Sequence, residues 1–421
     1  MKKRVSLVFA VLLLIGVLFS PVQTFASEES GKWVRKSDLP EPRAGAATAT
    51  VNGYIYVFGG SSGGKEAYSG TKHNTTYMYD PTTDTWTEKK NMPTARAGLT
   101  TAVVNNKIYV IGGYLDKNGK VERTNIVEVY DTQTDEWSTV ANMPTARSWA
   151  PATAIGDKIY VFGGGNSNGA LKNTECYDTS TDTWTRKTDM PLPANGIASV
   201  EIGGKIYVFG GWDFSSTHGS ILEYDPETDS WLKKNESTMP RNGMGVSVVN
   251  DKAYILGGSS NGANGILSSV EIYDPKTNTL TNFDNLTFPR TQNLSSAINN
   301  NIYVIGGTTG KEDGILSTVE MYTIESPDPE EPQQPEEPEQ PKGDRAILVV
   351  TMTTGLEREF DLSMDEVNAF IVWYDAKDAG SGPSKYAIDK HNNNKGPFSK
   401  RTDYVIFNNI LTFEVNEYSI K

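Results

Sequence analysis

The sequence predicts an all-β repeat architecture followed by a small α+β domain, and three observations carry that prediction. A β-branched and aromatic run that stops at two glycines, Tyr54 to Gly60, returns five more times, ending at Gly113, Gly164, Gly211, Gly258 and Gly307. A Tyr-Asp pair follows (Tyr79-Asp80, Tyr130-Asp131, Tyr177-Asp178, Tyr224-Asp225, Tyr273-Asp274), and seven residues after each Tyr stands Trp86, Trp137, Trp184, Trp231 or, in the fifth copy, Leu280. Ten residues further comes an arginine: Arg43, Arg96, Arg147, Arg241 and Arg290 each lie sixteen residues before the first Gly of a pair, with Ala194 at that place in the fourth copy. Six copies in one phase mean a supersecondary unit that buries its apolar face only by stacking on its neighbours.

This order of diglycine, Tyr and Trp resembles the kelch motif over roughly residues 31 to 324. The resemblance implies a six-bladed kelch β-propeller, each blade four antiparallel strands a to d, so that the b–c and d–a loops open on one face. The distances from Tyr to Trp, Trp to Arg and Arg to Gly are fixed at seven, ten and sixteen, whereas first Gly to Tyr runs 20, 18, 14, 14, 16 and 16. All length variation therefore falls in the b–c loops. Insertions gathered on one face of a repeat protein mark a binding face, because loops change there without disturbing blade packing.

Closure of the ring follows from the two ends of the repeat. Trp33 stands ten residues before Arg43 with no blade before it, while the position seven residues after Tyr322 is Pro329. A proline-rich run supplies no ladder donors. Lys32 to Lys36 are therefore expected to pair antiparallel with Val319 to Thr323 as strand d of blade six, bringing Trp33 to Tyr322 and removing an open seam.

At the N-terminus Lys2, Lys3 and Arg4 precede an apolar run from Val5 to Phe19 and small residues around Thr24-Phe25-Ala26, the pattern of a secretory signal peptide over 1–26. Export and a secreted or cell-surface location are the expectation, with no transmembrane segment in the mature chain. The single Cys176 excludes an intrachain disulfide framework and reads as a buried thiol. Formal net charge is −13, and −16 once the three basic residues of the leader are removed. That balance speaks for solubility and against nucleic acid, whose binding rests on neutralising phosphate. A monomer is expected.

After the propeller (27–324), Glu325 to Asp344 is rich in proline and acid and reads as an extended spacer. Residues 345–421 predict a small α+β domain: strands at Ile347–Met352 and Glu357–Leu362, a helix behind a Ser363/Glu366 capping box with Val367, Phe370, Ile371 and Tyr374 at helical spacing, and a last hairpin of Tyr404–Phe407 with Leu411–Val415. This tail is similar to a module at the C-termini of secreted bacterial proteins, a resemblance that carries no activity.

Candidate binding residues sit on the b–c face. The resemblance places Arg43, Arg96, Arg147, Arg241 and Arg290 at the start of the innermost strands, around the mouth of the central channel. Two readings fit: a ring of guanidinium groups for an anion, as in the kelch adaptors of ubiquitin ligases that grip an acidic peptide, or arginines spent on loop carbonyls and blade carboxylates. Trp149 and Trp212 break the repeat grammar, as do Tyr114 and Phe214. A loop tryptophan is a plate for a sugar or a peptide side chain, and Trp212 reads equally as a cover for a short blade.

Kelch enzymes offer two comparisons. The copper centre of the galactose oxidase type needs two histidines, tyrosines and a crosslinked cysteine, and His73 and His218 fall in loops of opposite blades. No metal and no cofactor is expected. The sialic acid mutarotase type leaves no unique catalytic acid to assign here, and no catalytic residue is named. The leading expectation is an exported, non-catalytic module that binds an acidic glycan or acidic peptide at the cell surface; a sugar mutarotase and a purely structural spacer are the rivals.

Overall fold

The computed structural model describes residues 32–64, 67–260, 265–325, 344–389 and 402–419. The expected leader, and the spacer from 326 to 343, lie outside the described residues. The chain divides into two compact units at Glu325 and Ser326.

Among the described residues the first unit is built on six four-stranded antiparallel sheets, each in the order a-b-c-d, with two-stranded hairpins in the b–c loops of blades one to three. In blade one these strands are Ala47–Val51, Tyr54–Phe58, Thr76–Asp80 and Thr85–Lys89. Strand b alternates onto both faces and is buried on both, which is why it reads as an unbroken apolar run. Neighbouring blades share their cores: Tyr109 and Val129 of blade two pack with Ile159 and Tyr177 of blade three. The seam is closed by Val34–Lys36, which pairs antiparallel with strand c of blade six in the register Val34↔Met321 and Lys36↔Val319. Trp33 lies 5.3 Å from the Tyr322 ring, and its indole N–H donates to Asp284 O.

The repeated residues each have a physical task. Every strand-d tryptophan donates its indole N–H to a carbonyl of the preceding blade, as Trp86 does to Ser37 and Trp137 to Lys90. Each Tyr of the Tyr-Asp pairs donates its hydroxyl to the side chain five residues on, an aspartate in blades one to four, Tyr79 to Asp84 for example, and Asn278 in blade five, while the Asp beside it caps the c–d turn, as Asp80 does for the Thr82 N–H. The second Gly donates to the carbonyl at the arginine position of the next blade, in a closed circuit from Gly60→Arg96 round to Gly307→Arg43 at 2.8–3.0 Å. A Cβ on the first Gly would fall 2.2–2.7 Å from that same carbonyl, so only glycine fits.

In the second unit the helix Met364–Asp378 starts at the Ser363/Glu366 capping box and buries Val367, Phe370 and Trp373. It packs with a three-stranded sheet in which Asp344–Met352 lies between Glu357–Ser363 and Ile410–Ser419. The expected last hairpin is corrected. Thr402–Ile406 pairs with Lys385–Asp389, and the final strand crosses to Asp344–Met352. A short 3-10 turn, Phe407–Asn409, separates the two strands and sends them to different sheets.

Candidate binding face

The five arginines come first because the sequence made them prominent. Arg43, Arg96, Arg147, Arg241 and Arg290 are between 0 and 2% exposed. Four of them meet a glutamate on strand c of their own blade: Arg96 with Glu128 at 2.9 Å, Arg147 with Glu175 at 2.9 Å, Arg241 with Glu271 at 2.8 Å and Arg290 with Glu320 at 2.8 Å. Further donors of each go to carbonyls, as Arg241 Nη1 does to Gly257 and Ser269. Burial pulls the proton affinity of these four guanidinium groups below its ordinary value, and the neighbouring glutamate partly restores it. Arg43, whose blade has Tyr77 at the glutamate position, takes Glu41 and Thr75 instead. Blade four lacks both partners, with Ala194 and Leu222 packed in one apolar cluster. The structure therefore corrects the expectation of guanidinium groups open to an anion: they are sealed and already hold carboxylates. The signal was present in the sequence two residues before each Tyr, where Glu appears only in blades that carry the arginine.

The mouth of the channel is made two residues after each arginine position, by Gly45, Gly98, Trp149, Gly196, Gly243 and Gln292. Their backbone N–H groups donate one to the next in a closed ring of six hydrogen bonds, 2.7–3.2 Å long. Each holds a left-handed conformation, φ between 54° and 66°. Glycine adopts that without strain; Trp149 and Gln292 do not.

Around this ring the mouth is uneven. Over blades one and two it is filled by Ala44, Ala67, Ala97, Tyr114 and Ile315, with Tyr68 stacked on Tyr114 at 4.3 Å and Trp149 at the edge. Gly45 and Gly98 make room for this, since a Cβ at Gly45 would lie 2.7 Å from the Trp149 ring. Over blades four to six it opens as a cavity of about 530 Å³ lined by Trp149, Trp212, Phe214, Asn195, Asn242, Ser259, Ile266, Thr291, Gln292 and Thr308 among others. None of the sixteen described residues that line it carries a charge, and Tyr68 is the one among them with an ionisable side chain.

Backbone strain converges on the same place. Among the described residues sixteen non-glycine positions have positive φ, and thirteen are Asn or Asp, which tolerate it. The other three are Trp149 (55°), Phe214 (73°) and Gln292 (54°), and all three line the cavity. Phe214 is 43% exposed and stands 4.5 Å from Trp212. Their loop is pinned by Asp213, which accepts from the Ser215 and Ser216 N–H groups and from His218. His73 is engaged separately, with Nε2 2.7 Å from Ser62 Oγ. Of the expected site residues, the structure thus brings Trp149 and Trp212 together and leaves the arginines behind the wall. Asn195, Asn242, Thr291 and Gln292 were missed; the first three stand one residue past the arginine position, and Gln292 two past it, where the six blades read Gly, Gly, Trp, Gly, Gly, Gln.

Comparison with known proteins places this architecture. The KLHDC2/KLHL20/DRC7 Kelch-repeats domain matches residues 22–141 and 98–307, and the Kelch motif matches 289–326. Alpha-scruin of Limulus polyphemus is 30% identical over 37% of this chain, and Kelch-like protein terF of Aspergillus terreus is 33% identical over 33% of it. The aligned regions cover 17% and 32% of those two relatives. The solved structure of YjhT superposes with a TM-score of 0.61 at 19% identity, over 69% of this chain and 97% of that one, and is alike in fold.

Proposed function

The chain belongs to the kelch-repeat family, and from that premise we propose that it is a non-catalytic protein-binding module that works outside the cell and seats its partner on the b–c face, anchored in the cavity over blades four to six. The observation that carries this reading is the convergence of three strained side chains, Trp149, Phe214 and Gln292, on one cavity. A bulky residue in the left-handed region costs about 1–3 kcal/mol and persists where the side chain is needed in that position. The aromatic walls supply contact area that orders little on binding. A cavity whose described lining holds no carboxylate, imidazole or amine suits binding better than acid–base chemistry. The export half of the proposal rests on the leader pattern at residues 1–26.

Selection of random-peptide binders on the immobilised full chain tests the reading. The expected binders lose affinity about tenfold or more on Trp212→Ala while the melting temperature stays close to that of the parent. Equal loss of binding and stability, or binders indifferent to Trp212, would overturn it.

A further inference from the structure

Resting on that reading, we infer that the anchor entering the cavity is an uncharged loop tip of the partner protein that presents an N–H or O–H donor to Asn195, and that Asn195 sets the specificity of the site. Asn195 Oδ1 is buried and has no hydrogen-bond partner. A buried acceptor left unpaired carries its full desolvation cost, so an unpaired one on a cavity wall calls for a donor from outside. The point where a Cβ on Gly165 would stand is 3.3 Å from Asn195 Oδ1 and 3.5 Å from Phe214 Cζ, so the unused acceptor and the strained, exposed Phe214 ring are both neighbours of Gly165.

The charge of the anchor follows from the lining. A charged group seated there would be buried among amides, hydroxyls and aromatic rings with no counter-charge among the described lining residues, which is costly, whereas an uncharged amide or hydroxyl pairs with groups of its own kind. The backbone of the mouth excludes an added strand. Asn195 and Trp212 exchange both of their backbone hydrogen bonds at 2.9 Å, and the six ring residues spend their N–H groups on each other. With no free edge among these described residues to extend, recognition falls to side chains and suits the tip of a loop, in contrast to an extended segment that adds to a sheet.

The experiment repeats the peptide selection with constrained loops on the full chain and on Asn195→Asp, near-isosteric but negatively charged, with Asn195→Leu as a second variant and thermal melts as the check on folding. For the parent, the expected loops lack Asp, Glu, Lys and Arg at the inserted tip, bind equally at low and high salt, and lose about tenfold in affinity on Asn195→Leu. For Asn195→Asp, the expected loops carry Lys or Arg at the tip. Acidic, salt-sensitive loops on the parent would overturn the inference while leaving the proposed function standing, provided they still depend on Trp212. An unchanged preference on Asn195→Asp would remove Asn195 from its role. Competition of neutral oligosaccharides for the same loops, with no dependence of those loops on Asn195, would assign the cavity to a sugar and overturn a protein anchor.

Discussion

Blades two and four are built on the same four strands and the same Tyr-to-Trp clasp, yet they present opposite surfaces to the channel mouth. Blade two holds Arg96 against Glu128 inside the sheet and fills its part of the mouth with buried Tyr114. Blade four replaces that ion pair by Ala194 and Leu222 and puts Asn195, Trp212 and Phe214 on an open cavity. The difference teaches that residues recurring in phase hold the propeller together, and that Trp149, Trp212, Phe214 and Gln292, which break the phase, line the open cavity.

The sharpest way to break this comparison is to unbalance a sealed pair. Glu175→Ala strands the Arg147 guanidinium in the blade interior and is expected to cost about 3–5 kcal/mol in denaturant unfolding. Arg147→Ala combined with Glu175→Leu copies blade four into blade three and is expected to return to within about 1 kcal/mol of the parent. If the double variant is as unstable as the single one, the pair is not an exchangeable unit. Gly210→Ala comes next. Its Cβ would fall 2.2 Å from Arg241 O and its φ is 59°, so a loss of about 2–3 kcal/mol is expected.

Opening the seam has a smaller effect. Trp33→Ala removes a half-buried indole and its bond to Asp284, and about 2 kcal/mol is expected in thermal unfolding. A variant that melts with the parent would mean that the closure lies elsewhere. Trp149→Gly has the smallest expected effect on stability, within about 1 kcal/mol, because lost packing is offset by relief of the left-handed conformation. The same change should abolish loop binding. If it instead unfolds the ring, Trp149 is a residue of the fold.

Most of the fold was legible because the propeller is assembled from one unit, and every clasp that joins one blade to the next recurs in phase. The seam was legible for the same reason, since an unmatched Trp33 and a missing partner for Tyr322 are visible by counting. The site was harder to read. An arginine repeated in five blades attracted a functional reading that its buried glutamate partners revoke, and burial is not visible in a single position of a sequence. Trp149 and Gln292 stand where a glycine belongs, but the backbone ring that gives this exchange its meaning appears only once the six blades are closed. In the tail, the last two strands are close in sequence and go to different sheets, which hairpin logic does not anticipate.

The separation of holding residues from binding residues is tested most directly through the tryptophan indoles. The chain has eight tryptophans. Trp33, Trp86, Trp137, Trp184 and Trp231 donate to the preceding blade, Trp373 donates to Pro383 O in the second unit, and Trp149 and Trp212 line the cavity. In a titration of the ¹⁵N-labelled full chain with a selected loop peptide, the account predicts that the indole signals of Trp149 and Trp212 shift while the other six stay in place. Shifts at the strand-d indoles, with Trp149 and Trp212 unmoved, would contradict it.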